Sequence, residues 1–242
     1  MKAAEAAQPA GAARPAGTAQ PAGAAHPAPR PGLRERKKRR TRDALLRAAL
    51  ELFTARGYER TTVDDIAEAA DVSQRTFFRY FASKEEAAFF VSRLAEARFV
   101  DAVRARPAGE PPLEALRQSL AESWASIGEA IEQLVPLELH MRFYQVIETT
   151  PALLAAHLRR ATELEEEIAR VIAEREGLDV DADPRPRVVV AVFGAVMRVT
   201  ERIWSARGEA TLGALRDLTA AYLDQVEPAL TGNWRRGRPS SA

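Results

Sequence analysis

The chain has 242 residues, 35 of them basic and 34 acidic, for a net charge of +1. A uniformly basic or acidic surface is thereby excluded, and any charged partner must be met by a local patch. Cysteine is absent, which rules out a disulfide framework and a thiolate zinc site and suits a reducing cytosol.

Residues 1–32 are Ala/Pro/Gly runs such as AAQPAGAARPAG. They lack the bulky apolar side chains that offset ordering entropy, so the composition predicts disorder. A secretory signal needs a continuous apolar core, and a transit peptide needs an amphipathic helix; neither fits a proline-punctuated stretch. Basic charge is concentrated next, in Arg34, Arg36, Lys37, Lys38, Arg39, Arg40 and Arg42, opposed by Glu35 and Asp43. Such a run is either a solubilising linker or an electrostatic footprint for a duplex. In the second case an arm over residues 30–42 could enter a minor groove.

The first helix is predicted from residue 36 or 41 to 56. Leu45, Leu46, Ala49, Leu52 and Phe53 recur at helical spacing, and Gly57 supplies the stop. Thr62 with Asp65 three residues on is a capping-box start for a second helix, whose apolar side carries Val63, Ile66, Ala67 and Ala70. Asp71 tolerates the left-handed conformation that would end it. Val72 plugs the turn, and Ser73 caps a third helix to about Tyr80. Helix, short turn and helix can lay the second helix in a major groove. Val72, Phe77 and Phe81 are spaced for a buried seam, which turns Gln74, Arg75, Thr76, Arg79 and Tyr80 outward. Gln and Arg make bidentate contacts to adenine and guanine edges, and Thr meets a base or a thymine methyl. Tyr80 and Lys84 suit phosphates that set register. An ordinary helical hairpin with a solvated face shares this spacing.

Ser73-x-x-Thr76-Phe77-Phe78-x-Tyr80-Phe81-x-Ser83-Lys84-Glu85, preceded by Ala69-Ala70-Asp71-Val72, resembles the DNA-binding signature of TetR/AcrR-type one-component repressors. The similarity extends upstream through Ala48-Ala49-Leu50-Glu51-Leu52-Phe53, Arg56-Gly57-Tyr58 and Thr61-Thr62-Val63. Asp71 stands where that family usually has Gly, which strains the turn. Phe78 stands where Tyr is common, which removes a hydroxyl. The resemblance implies a DNA surface of Arg42, Thr61 and Thr62, then Ser73, Gln74, Arg75 and Thr76, then Phe78, Arg79, Tyr80 and Lys84.

Ser83 and Glu86 form another capping box and open a fourth helix, predicted to run unbroken to roughly Ala105. Its first turn would hold DNA while its far end belongs to the next domain, making it the mechanical link. Pro and Gly in residues 106–112 then break the chain. Beyond them no strand signal occurs. Leu113, Leu116, Leu120, Trp124 and Ile127 form one stripe. Residues 131–147 are richly apolar, with a break expected at Pro136. Leu154, Leu158, Ala161, Ile168 and Ile172 form another stripe, closed by Gly177, and residues 180–186 read as a polar loop.

Residues 188–204 are apolar nearly all round, too short to favour a membrane span, and so must be buried on every side. Leu212, Leu215, Leu218, Tyr222 and Val226 give the last helix one apolar face. Packing this pair against a second copy would bury both. Phe193, Met197, Leu215 and Tyr222 are the expected dimer residues, with Ala191, Gly194 and Ala195 permitting close approach. The family resemblance also implies a homodimer built from the last two long helices.

No catalytic constellation stands out. His26, His140 and His157 are isolated from one another, and no Gly-rich phosphate loop or Ser-His-Asp order is present. No enzyme activity, cofactor or metal is expected. Trp124, His140, Met141, Arg142 and Tyr144, with Phe143 and Trp204, are the candidate lining of an apolar small-molecule cavity. Members of the resembled family commonly bind inducers in such a place. Met141-Arg142-x-x-x-x-Ile147-x-x-Thr150-Pro151-x-Leu153, with the FFRYF stretch, is also similar to mycofactocin-type regulators, which sense long-chain acyl thioesters. That shorter match assigns no ligand.

The expected protein is all-α, with an N-terminal three-helix helix-turn-helix domain over residues 33–84 (basic arm 33–42). A C-terminal helical ligand-binding and dimerisation domain follows over 85–230, then a basic tail over 231–242. Double-stranded DNA, a small-molecule effector and a second copy are the expected partners, in the bacterial cytoplasm and on the nucleoid when DNA-bound. A ligand-independent DNA binder, or an enzyme using the apolar pocket, are the rival readings.

Overall fold

The computed structural model describes residues 32–208 and 211–232. The disordered tail expected before them and the basic end expected from residue 233 lie outside the described residues. Among the described residues every regular element is a helix, and none is long and apolar enough to cross a membrane.

α1 (Leu33–Arg56) starts earlier than the apolar spacing alone requires. Arg and Lys are good helix formers, and Glu35 sits in the first turn against the dipole. The basic run is therefore an exposed helical face, not an extended arm. α2 (Val63–Ala69) opens with the Thr62/Asp65 capping box, both bonds being present. Asp71 takes φ +52°, and the Val72 amide donates to Ala67 O at 3.0 Å, closing the helix through a left-handed stop. α3 (Gln74–Phe78) follows, capped by Ser73.

These helices share a core of Leu45, Leu46, Phe53, Ile66, Phe77 and Phe81. That core continues without a gap into α6 (Pro112–Glu132) and α7 (Leu137–Thr149), where Ile127, Ile131, Leu139, Phe143 and Ile147 join it. Phe53 and Phe143 meet at 5.6 Å between ring centres. A boundary at residue 84 divides the chain but not this core.

The expected unbroken fourth helix is two: α4 (Lys84–Ala88) and α5 (Phe90–Ala105). Phe89 leaves helical geometry at φ −98°, ψ 8°. Its buried ring packs beneath the Arg160 guanidinium at 5.5 Å and near His157 at 6.5 Å. Hydrophobic spacing does not register such a corner, because a buried Phe fits either path.

Pro136 separates α6 from α7 as expected. α8 (Pro151–Glu176) ends on Gly177 at φ +65°, with the Leu178 amide on Ala173 O at 2.9 Å. α9 (Arg185–Arg207) begins inside the expected loop, since Asp183 accepts the Arg185 amide. The last helix is also two, α10 (Leu212–Leu223) and α11 (Val226–Thr231). Thr200 and Thr219 hydroxyls pair at 2.9 Å between α9 and α10, and Trp204 Nε1 donates to Thr211 O at 3.1 Å. Both bonds satisfy polar groups that would be costly to bury alone.

Candidate functional site

Two sites emerge, a reading surface on α3 and a cavity inside the larger helical layer. At the first, Ser73 Oγ accepts the Thr76 amide at 3.2 Å and pairs with Thr76 Oγ1 at 3.0 Å. This cap sets the start of the helix and leaves Gln74 and Arg75 in solvent. Neither makes a side-chain hydrogen bond or ion pair among the described residues. Phe78 is 51% exposed and rests edge-on against Phe77. The Arg79 guanidinium lies over the half-buried Tyr80 ring at 5.2 Å. Thr62 is exposed, with its hydroxyl held by Asp65 Oδ2 at 2.6 Å.

Three expected DNA contacts are placed differently. Thr61 is buried, and its hydroxyl donates to Gly57 O at 2.9 Å. Lys84 Nζ donates to Tyr58 O at 2.9 Å and Thr61 O at 3.1 Å, and sits 4.2 Å from the Tyr58 ring centre. The loop after α1 leaves these carbonyls without helical partners; Tyr58 O also accepts the Thr61 amide at 3.3 Å, whereas Thr61 O takes its bond from the ammonium. Lys84 is thus a strut between α4 and that loop. Arg42 is half-buried, paired with Asp43 at 2.9 Å and lying over Phe90 at 5.0 Å.

The cavity, about 230 Å³, is lined by α5 to α10. Its apolar part includes Phe99 and Phe193, stacked at 5.7 Å and 10°, with Trp124, Ile127 and Met197. α7 carries its surfaces by helical period. Leu139, Phe143 and Ile147 face the reading head's core, while His140, Met141 and Tyr144 line the cavity. Arg142 falls on a third, exposed face and pairs with Glu138 at 3.6 Å, so it is not a cavity residue. Trp204 is buried edge-on to Tyr144 at 6.0 Å, outside the lining.

The expected dimer residues split the same way. Phe193, Met197 and Leu215 line the cavity and face inward; Tyr222 alone of the four is exposed. Gly194 also faces inward, where an added Cβ would collide with the Glu165 carboxylate. The outward side of α9 is Val188, 58% exposed, with Ala191 and Ala195. α9 looked buried on every side from its sequence because two different apolar surfaces alternate along one helix.

The polar lining was not legible beforehand. Glu96, His157, Glu165, Arg198 and Glu201 come from α5, α8 and α9 and meet only on folding. The local signal was in α9, where Arg198 and Glu201 interrupt an apolar run. Glu165 pairs with Arg198, and Glu96 with Arg160. His157 Nε2 lies 3.4 Å from Glu201. Burial opposes charge on His157, but the Glu201 hydrogen bond and the Glu201, Glu148 and Glu96 charges outweigh it and raise its pKa. Burial, then Glu201, pushes the Tyr144 phenol well above its usual value. Burial alone lowers His140 to about 4. Ligand atoms of Glu148, His157 and Glu201 lie within 4.8 Å of one another, so these are the described residues that could jointly hold a cation.

Comparison with known proteins bears on both sites. Residues 45–87 match the model of the N-terminal domain of bacterial regulatory proteins of the tetR family, and residues 110–231 match that of the MftR C-terminal domain. The HTH-type transcriptional regulator TcmR of Streptomyces glaucescens is 49% identical over 206 residues, covering 85% of this chain and 91% of that protein. MftR of Mycobacterium tuberculosis is 32% identical over 185 residues, covering 74% of this chain and 88% of that protein. Among solved structures, the SmeT–triclosan complex superposes with a TM-score of 0.54 at 19% identity, covering 83% of this chain and 96% of that one. At that identity the likeness concerns the fold. The relatives are transcription regulators, not enzymes.

Proposed function

The chain belongs to the TetR family of transcriptional regulators, and from that premise we propose that it is a homodimeric repressor released from DNA by an apolar effector. Two copies of α3 would occupy successive major grooves of a pseudo-palindromic duplex, about 34–36 Å apart or farther. The observation that carries the effector half of this reading is the double duty of α7. One of its faces belongs to the reading head's core and the next lines the cavity. A ligand that moves α7 must therefore move Phe143 against Phe53. An effector that binds better to the conformer with misplaced reading heads lowers DNA affinity by that same difference in free energy. The outward face of α9 and α10, with Val188, Ala191, Ala195 and Tyr222, supports the homodimer.

Selection of bound duplexes from a random library, followed by titration of the selected site, tests the reading half. Arg75→Ala should cost roughly 1–3 kcal/mol on that site and relax the base preference there. Equal losses on the selected site and on random competitor would remove Arg75 from base reading.

A further inference from the structure

The cavity's cations are already taken. Its lining holds three carboxylates, Glu96, Glu165 and Glu201. Arg160 neutralises the first and Arg198 the second, while the third shares His157 with Glu148 beside it. A carboxylate brought in with a ligand would meet no spare cation, and an unpaired charge out of water is expensive. One polar group is left over. His140 is 7% exposed, lines the cavity, and its Nδ1 has no hydrogen-bond partner. Burial keeps this imidazole neutral at ordinary pH. A neutral ring can accept from a hydroxyl or donate to a carbonyl but brings no charge to offset that of a carboxylate. On size, an apolar cavity of about 150 Å³ holds a benzene ring, so 230 Å³ has room for fused rings.

We propose that the effector is a ring-bearing molecule with a hydroxyl or carbonyl group that hydrogen-bonds His140, and that the cavity rejects carboxylates of the same shape. This rests on the effector reading above and names the ligand class that reading leaves open.

The test is calorimetric titration of the full chain at neutral pH with 2-naphthol and 2-naphthoate. Each is also added to the complex with the selected duplex. The alcohol should bind ~10-fold or more tightly than the carboxylate, a difference of about 1.4 kcal/mol per decade. His140→Leu should remove most of that preference, with Tyr144→Phe and retained duplex binding as controls for folding. Glu165→Gln leaves Arg198 without its partner and should raise naphthoate affinity ~10-fold. Naphthoate binding as tightly as naphthol, or a Glu165→Gln protein indifferent to it, would overturn the ligand class while leaving an effector-responsive regulator intact. Naphthol binding without release of the duplex would instead sink the effector reading and leave the cavity's selectivity standing. No binding by either compound would end both.

Discussion

Lys84 and His140 show how a single side chain changes meaning with its surroundings. From its place beside the reading helix, Lys84 suits a phosphate; in the structure both Tyr58 and Thr61 carbonyls hold it. Lys84→Met keeps the apolar stem over Tyr58 and removes the donors. It should therefore destabilise the head by about 1–3 kcal/mol, the cost of leaving the Thr61 carbonyl unmet, since Tyr58 O keeps the Thr61 amide. The salt slope of duplex binding should stay unchanged, whereas a lost phosphate contact would flatten it by about one unit. Denaturant unfolding and salt-dependent binding measured on one sample separate the two roles. His140 carries a pH signature. Its folded pKa is about 4, below the 6.5 of the exposed ring. The unfolded chain therefore binds the proton first, and His140's neutral burial stabilises the fold fully above pH 6.5 and progressively less toward pH 4. The stability difference between the native chain and His140→Leu should shift by about 2 kcal/mol between pH 7.5 and pH 5. A difference constant across that window would mean that the ring is hydrated.

α7 and the α4–α5 corner concern how whole helices transmit a signal. The mechanical link expected along one fourth helix is interrupted at Phe89. A second route exists through α7, where Phe143 abuts Phe53 of α1 while Tyr144 beside it faces the cavity. Interiors are close-packed, so a shift of one face cannot be absorbed without moving the other. Phe143→Leu trims this contact while keeping the site apolar. It should leave ligand affinity within a few-fold yet reduce the effector-induced loss of DNA affinity, a coupling that typically amounts to 1–3 kcal/mol. Unchanged coupling in the variant would assign transmission to α4 and α5 alone. Among α9's small residues, Gly194 makes room for Glu165, while Ala191 and Ala195 are left open outside.

For the protein as an assembly, the uncovered side of α9 and α10 is the feature a second copy would explain. Ala195 is exposed, so Ala195→Arg costs a monomer little. In an isologous contact the two new guanidiniums would meet near the symmetry axis. The variant should run as a monomer in light scattering and lose operator affinity while keeping its melting behaviour ligand-responsive. A variant that stays dimeric would move the interface elsewhere.

Most of the reading head was legible in the linear order of residues because its determinants are local. The Thr62 and Ser73 caps, the left-handed Asp71 and the apolar seam of Phe77 and Phe81 each act within a turn or two of the chain. Pro136 and Gly177 break helices for the same reason. What stayed hidden needs the third dimension. Which side of α9 looks inward, where Lys84 finds its acceptors, and why Phe89 leaves the helix all depend on atoms far off in sequence. The same holds for the charge matching around the cavity, since Glu96, His157, Arg198 and Glu201 become neighbours only when three helices pack. Periodicity reports that a helix has an apolar face, and packing alone chooses what that face will touch.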